Sequence, residues 1–225
     1  MNVEALFKLT YGLFIVSSGD RNEGNGFISN TVFQVSSDPP LFAACCNKNN
    51  YTSAFIKKYN AFSVSILQKD APPLLFGTFG FRSGKDFDKM KGMNIIYGST
   101  GVPVILNETV AYLECKLTDT FDVGTHLMFI GELLNAEIID NSKEPLTYSY
   151  YRQVKKGIAP ENAPTYIDKS KLEKKTMETY RKFKCPACGH IYDEAIEKVK
   201  FSELPDTWVC PVCGMEKKEF IETDK

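Results

Sequence analysis

Short runs of apolar and β-branched residues, each closed off by turn formers, recur along the first two thirds of the chain. Residues 12–17, 27–35, 41–46, 61–67, 110–120 and 126–139 read as strands. Asp38-Pro39-Pro40, Asp70-Ala71-Pro72-Pro73 and Val123-Gly124 punctuate them. One segment has a different period: 51–59 sets Thr52, Phe55 and Ile56 at helical spacing and predicts a short helix. Many strands with few helices predict a mainly β fold, an antiparallel sheet closed wholly or partly into a barrel.

The pattern changes after Tyr151. Two spaced prolines, Pro160 and Pro164, precede a charge run at 168–175, the composition of a solvated connector that is semi-rigid at its prolines. Residues 157–167 read equally well as a surface extension of the first domain. The expected division is therefore a domain at 1–155, a linker at 156–179 and a small domain at 180–225.

Composition narrows the function classes. Of 225 residues, 43% are hydrophobic and 24% charged, and the net charge of −1 leaves no basic excess for nucleic acid. The apolar runs are too short to span a bilayer. The opening MNVEALFKLT has no basic n-region and no long apolar stretch, so the cytoplasm is the expected location. Seven cysteines in a reducing compartment, four of them in two CxxC pairs, argue for a metal site and free thiols.

Cys185-Pro-Ala-Cys188-Gly and Cys210-Pro-Val-Cys213-Gly are matching knuckles separated by residues 189–209. Each turns two sulfurs toward one centre, and the trailing glycine permits positive φ. Two such loops give tetrahedral S₄ coordination, which suits zinc or a single iron. Phe183, Tyr192, Phe201, Trp208 and Phe220 surround them, an apolar shell of the kind that tunes a redox metal, and the balance goes to iron. The strings Tyr192-Asp193, Leu-Pro-Asp-Thr-Trp-Val-Cys-Pro-Val-Cys-Gly (204–214) and Lys-Lys-Glu-Phe (217–220) closely resemble rubredoxin. His190 stands where that family has tyrosine, and the loop between knuckles is short for it. His190 reads as a packing residue.

In the longer domain no GxGxxG or GxxxxGK[ST] occurs, so neither a Rossmann unit nor a P-loop is indicated. Three segments suit a phosphate-bearing planar cofactor: Gly24-Asn-Gly-Phe-Ile-Ser29-Asn30-Thr31-Val32, Cys45-Cys46-Asn47-Lys48-Asn49-Asn50-Tyr51-Thr52 and Phe79-Gly-Phe-Arg82-Ser83-Gly. The second sets a lysine before the helix start, an anion-binding arrangement, and the third adds an arginine in a glycine-flanked loop. Taken singly, Lys48 and Arg82 read as solvated charges, Ser29 to Thr31 as a strand edge, and Cys45 and Cys46 as small buried residues rather than redox thiols.

Taken together, these segments, with 35–41 and Gly124-Thr-His126 leading to Phe129-Ile-Gly-Glu132, resemble the flavin reductase family over about residues 5–152. The resemblance implies an FMN-binding split β-barrel. It implies that Ser29, Asn30, Thr31 and Val32 line the flavin ring. Lys48, Asn49, Thr52, Arg82 and Ser83 would hold the phosphate side, and Cys45, Cys46 and Asn47 would give backbone contacts. His126 would sit by the flavin and nicotinamide, its alternative being a core or edge histidine. Thr125 replaces the family's usual Asp. A homodimer is implied in the same way.

A nicotinamide gives two electrons at once, an S₄ iron accepts one, and flavin converts between them. Fusion raises the effective concentration of the iron near the flavin, to about the mM range for a short tether. The two-domain combination resembles the high-molecular-weight rubredoxins, which implies NAD(P)H as donor and a flavodiiron O2 or NO reductase as acceptor. NADH and NADPH are not distinguished. Two other readings stand beside it: an FMN and iron relay reduced by a separate reductase, and a zinc-ribbon adaptor without redox activity.

Overall fold

β2 (Gly24–Ser29) and β3 (Val32–Ser37) are consecutive in the chain, yet they form the two edges of one seven-stranded antiparallel sheet. Between them run β1 (Phe14–Gly19), β5 (Ala61–Leu67), β8 (Thr109–Val123), β9 (His126–Ile138) and β4 (Pro40–Asn47), giving the order β2-β1-β5-β8-β9-β4-β3. Laid flat, six spacings of about 4.8 Å would separate the edges by about 29 Å. Three Cα steps from Ser29 to Val32 cover at most about 11 Å. The sheet must therefore curl until its edges nearly meet, and the split lies at Asn30-Thr31. The expected single strand at 27–35 is in fact these two strands.

The structure is a computed structural model that describes residues 3–167 and 180–223. The chain forms two compact units, 1–167 and 168–225. In the first, β1 and β5 are buried on both faces. Ile15 packs with Leu67, Phe79 and Leu146, while its neighbour Val16 points the other way into a cluster with Phe62, Val64 and Phe129. That double burial leaves only apolar residues and small buried serines on these strands: Ser17 and Ser18 on β1, Ser63 and Ser65 on β5. The helix α1 (Thr52–Tyr59) buries Phe55 and Ile56, as its spacing predicts. A hairpin of β6 (Ile95–Tyr97) and β7 (Pro103–Ile105), too short to leave a sequence signal, packs against β1 and β5.

Glu114 on β8 is the buried carboxylate of this unit, with no exposed surface. It accepts hydrogen bonds from the backbone amides of Ser99 and Thr100, the Thr100 hydroxyl and Asn135 Nδ2, at 2.9–3.2 Å. It thereby fixes the β6–β7 loop without a cation. Residues 157–167, expected as linker or surface extension, belong to the first unit. The second unit is a three-stranded sheet, β10 (Lys182–Lys184) between β11 (Ile191–Asp193) and β12 (Ile221–Thr223). Phe183, Tyr192 and Phe201 are its core, and Trp208 and Phe220 close it with ring centroids 5.2–5.7 Å apart.

Burial pushes the Glu114 carboxyl up, but the four donated hydrogen bonds outweigh it and hold the group below its ordinary value of 4.5. Glu114→Gln faces the same donors with an amide, and the expected loss is about 1–3 kcal/mol in denaturant unfolding at neutral pH. A lowered folded value stabilises at pH above the unfolded carboxyl's range, and that contribution fades as pH falls through the folded value. The difference between variant and wild type should accordingly narrow in acid.

Candidate functional site

In the second unit the four cysteine sulfurs all lie within 4.8 Å of one another. Cys185 Sγ is 3.6 Å from Cys213 Sγ, and Cys188 Sγ is 3.6 Å from Cys210 Sγ. Metal–sulfur bonds of about 2.3 Å imply a tetrahedron edge of about 3.8 Å, so the set fits one four-coordinate ion. The two knuckles repeat one construction. Cys185 N–H donates to the His190 carbonyl at 2.8 Å and Cys210 N–H to that of Met215 at 2.7 Å. Gly189 and Gly214 stand at φ +78° and +76°, where any side chain is strained. The amides of His190 and Met215 donate to the sulfurs of Cys188 and Cys213. Cys185 and Cys210 are buried, whereas Cys188 and Cys213 face solvent.

The first unit carries a cleft along the split. One chamber, about 250 Å³, is lined by Ser29, Cys45, Asn47, Asn49, Arg82 and Ser83, all named from sequence, and by Lys89. A second, about 620 Å³, is lined by Lys48 and His126 and shares Cys45, Asn47 and Asn49 with the first. The remaining candidates lie behind these walls. Cys46 has its side chain in the core and Val32 packs against the same cluster, so neither presents a side chain to the cleft. Thr31 gives its carbonyl to Cys45 N–H at 3.0 Å. Thr52 is fully buried and donates through its hydroxyl to Asn25 Oδ1 at 3.0 Å. Asn30 is buried and donates to Thr165. Lys48, expected beside the helix start, is instead paired with Asp122 at 2.6 Å.

Two residues that sequence did not single out complete the cleft. Lys89 is 3% exposed, and its ammonium donates to the carbonyls of Gly26 at 3.0 Å and Phe79 at 3.4 Å. Burial pushes its pKa down to about 8, and no carboxylate lines its chamber among the described residues. A cation that stays buried without a counter-charge is an anion site in search of its anion. Asn25 takes the Thr52 hydroxyl, and its amide lies where a Cβ on Gly84 would come 1.8 Å away. It therefore clamps β2, the start of α1 and the Arg82-Ser83-Gly84 loop together. Burial raises the Cys45 thiol, and Cys46 is pushed up to about 12, so both are inert. His126 is buried, with Thr125 Oγ1 2.8 Å from Nδ1 and the Asn162 carbonyl 3.1 Å from Nε2.

In the smaller chamber two cations, amide and hydroxyl donors and a wall with no carboxylate among the described residues fit the phosphate and ring edges of a flavin. The class follows from both sites: a flavin reductase-like barrel joined to a rubredoxin-type iron domain. The family model for the flavin reductase like domain matches residues 6–157, and that for rubredoxin matches 182–220. The high molecular weight rubredoxin of Moorella thermoacetica is 39% identical over 98% of this chain and 99% of its own length. The ferric-chelate reductase (NAD(P)H) of Archaeoglobus fulgidus is 42% identical over 75% of the chain and 99% of its own. Among solved structures, the NADH:FAD oxidoreductase of Streptomyces globisporus C-1027 superposes with a TM-score of 0.57 at 24% identity, covering 64% of this chain and 84% of that one. The chain belongs to the high-molecular-weight rubredoxin family. It is an oxidoreductase that uses flavin and iron. No helix among the described residues is long and apolar enough to cross a membrane.

The single tryptophan, Trp208, sits in the aromatic core beside the knuckles. A small metal domain owes its folding to the bound ion. Cys210→Ala should therefore abolish iron absorption and red-shift Trp208 emission. Unfolding of the first unit, followed by hydrogen exchange of 14–157, should not change.

Proposed function

We propose that the chain takes two electrons from NAD(P)H through FMN held in the cleft, passes them singly to the iron centre and delivers them to a flavodiiron-type acceptor protein. The observation that carries this reading is the carboxylate-free chamber with Arg82 and Lys89 on its wall, in one chain with the four-sulfur centre. Bound flavin supplies the conversion from hydride to single electrons.

The protein's own groups do the rest. Arg82, Ser83 and Lys89 hold the phosphate, with Asn25 and the buried Thr52 keeping their loops in place. Ser29, Asn47 and Asn49 present hydroxyl and amide groups to the ring, and Asn30, Thr31 and Val32 set the backbone beneath it. His126 Nε2 faces the Asn162 carbonyl, which can only accept, so Nε2 carries a proton, and Nδ1 pairs with the Thr125 hydroxyl. That N–H is available to a carbonyl such as the nicotinamide carboxamide. The exposed sulfurs of Cys188 and Cys213 are the exit for electrons. Phe33 and Val35, about half exposed on the edge strand β3, offer apolar surface for a homodimer. The domain limits proposed are a flavin unit running through residue 167 and an iron unit beginning at 180, in a protein of the cytoplasm.

Mixing the flavin- and iron-loaded protein with NADH or NADPH under nitrogen should bleach flavin and iron absorption together. Bleaching by neither nucleotide, with dithionite still reducing both centres, would identify a relay fed by a separate reductase. A charged Lys89 facing a phosphate implies a second result. FMN affinity should fall as pH rises through about 8, where the amine loses its proton. Lys89→Met should bind FMN about 10- to 100-fold more weakly, the worth of a charged hydrogen bond, and lose that pH dependence.

A further inference from the structure

Residues 158–167 cross the cleft instead of leaving it. Ala163 and Pro164 line both chambers, so the segment divides one cleft in two. Its attachments are few and mainly polar. The Thr165 hydroxyl accepts from Asn30 Nδ2 at 2.8 Å and donates to Tyr148 Oη at 3.0 Å. The Tyr151 hydroxyl donates to the Ile158 carbonyl at 3.4 Å, and His126 Nε2 donates to the Asn162 carbonyl at 3.1 Å. Apolar anchoring is modest: Ile158 and Tyr166 are 63% and 42% exposed, and the half-buried Ala159, Pro160 and Ala163 border a small cavity shared with Leu13, Phe76 and Tyr151. Internally the segment is firmer: Ala163 N–H bonds Pro160 O at 2.8 Å, and Tyr166 N–H bonds Ala163 O at 3.0 Å. Upstream the chain is pinned at Gly157, whose N–H bonds Tyr151 O at 2.9 Å and whose Cα leaves no room for a Cβ over the Tyr151 ring.

We infer that 158–167 is a displaceable strap, and that the Asn162 carbonyl occupies on His126 the place of the nicotinamide carboxamide oxygen. Both are amide carbonyls, and Nε2 has one N–H to give. The strap and the dinucleotide therefore exclude one another at His126, and the donor enters as the strap swings out from Gly157. A segment held by a handful of side-chain hydrogen bonds and modest buried apolar area belongs to the low-stability part of a fold, so it can open without loosening the barrel. This inference rests on the reductase reading above and adds a self-competing contact to it.

The test uses full-length, flavin- and iron-loaded, oxidised protein and a tetrahydro-NAD that binds but cannot donate hydride. Backbone exchange in 158–167, reported by the Ala163 and Tyr166 amides, should speed up at saturating analogue while the strands stay protected. Thr165→Val, which removes the tie to Asn30 and Tyr148, should show faster exchange in the strap without analogue. It should also bind the analogue about 5- to 30-fold more tightly, the worth of one to two net hydrogen bonds. Thr165→Ser keeps both bonds and should match wild type. Unchanged or slowed exchange on binding would make the segment a fixed wall and overturn the strap alone. If the analogue perturbs the flavin spectrum of neither protein, the strap and the reductase reading fall together.

Discussion

The first unit depends on a length mismatch. Strands at opposite edges of a seven-stranded sheet are joined by two residues, Asn30 and Thr31. Peptide geometry leaves only a curled sheet with its edges drawn together. The residues at the seam do more than link. Thr31 gives its carbonyl to Cys45 N–H, tying the seam to β4, and Asn30 reaches out to Thr165. Ser29, the last residue of β2, is left buried at the wall of the cleft. A site at this seam needs no special loop, because the seam already brings β2, β4, the start of α1 and the Arg82 loop to one place.

The iron site is built on the opposite plan. Its ligands come from two local hairpin turns whose internal hydrogen bonds and positive-φ glycines are fixed within five or six residues. Only the facing of the two knuckles requires the tertiary fold, and the aromatic stack of Phe183, Phe201 and Trp208 supplies it. A ligand set encoded locally is legible from spacing alone, whereas a cleft assembled by a seam is legible only in fragments.

That contrast accounts for what the sequence revealed. β1, β4, β5 and α1 could be read because their burial is strong and regular. The break at Asn30-Thr31 could not, since Phe27, Ile28, Thr31, Val32 and Phe33 suit one uninterrupted strand and a single Asn between them is a weak turn signal. Lys48 and Lys89 show the limit for charges. Lys48 lies just before a helix start but spends its charge on Asp122. Lys89 sits in Lys85-Asp-Phe-Asp-Lys-Met-Lys, a run that reads as a solvated face, and only its burial shows a cation without a counter-charge. Thr52 was legible as a member of the site but not as a buried one, because its partner Asn25 is 27 positions away.

The two prolines of 158–167 bear on the same question from the other side. In sequence they mark a spacer, and in the fold they shape a strap. Proline removes conformations from the unbound segment, so little entropy is lost when the strap lies down. Few hydrogen bonds then suffice to hold it, and few need to break for it to lift as a unit. A flexible Gly/Ser connector of the same length would cost more to order at every closure. A well-packed helix would bury apolar surface and stay shut. A stiff, weakly anchored segment lies between these, and it suits a cleft whose contents must be exchanged at each turnover.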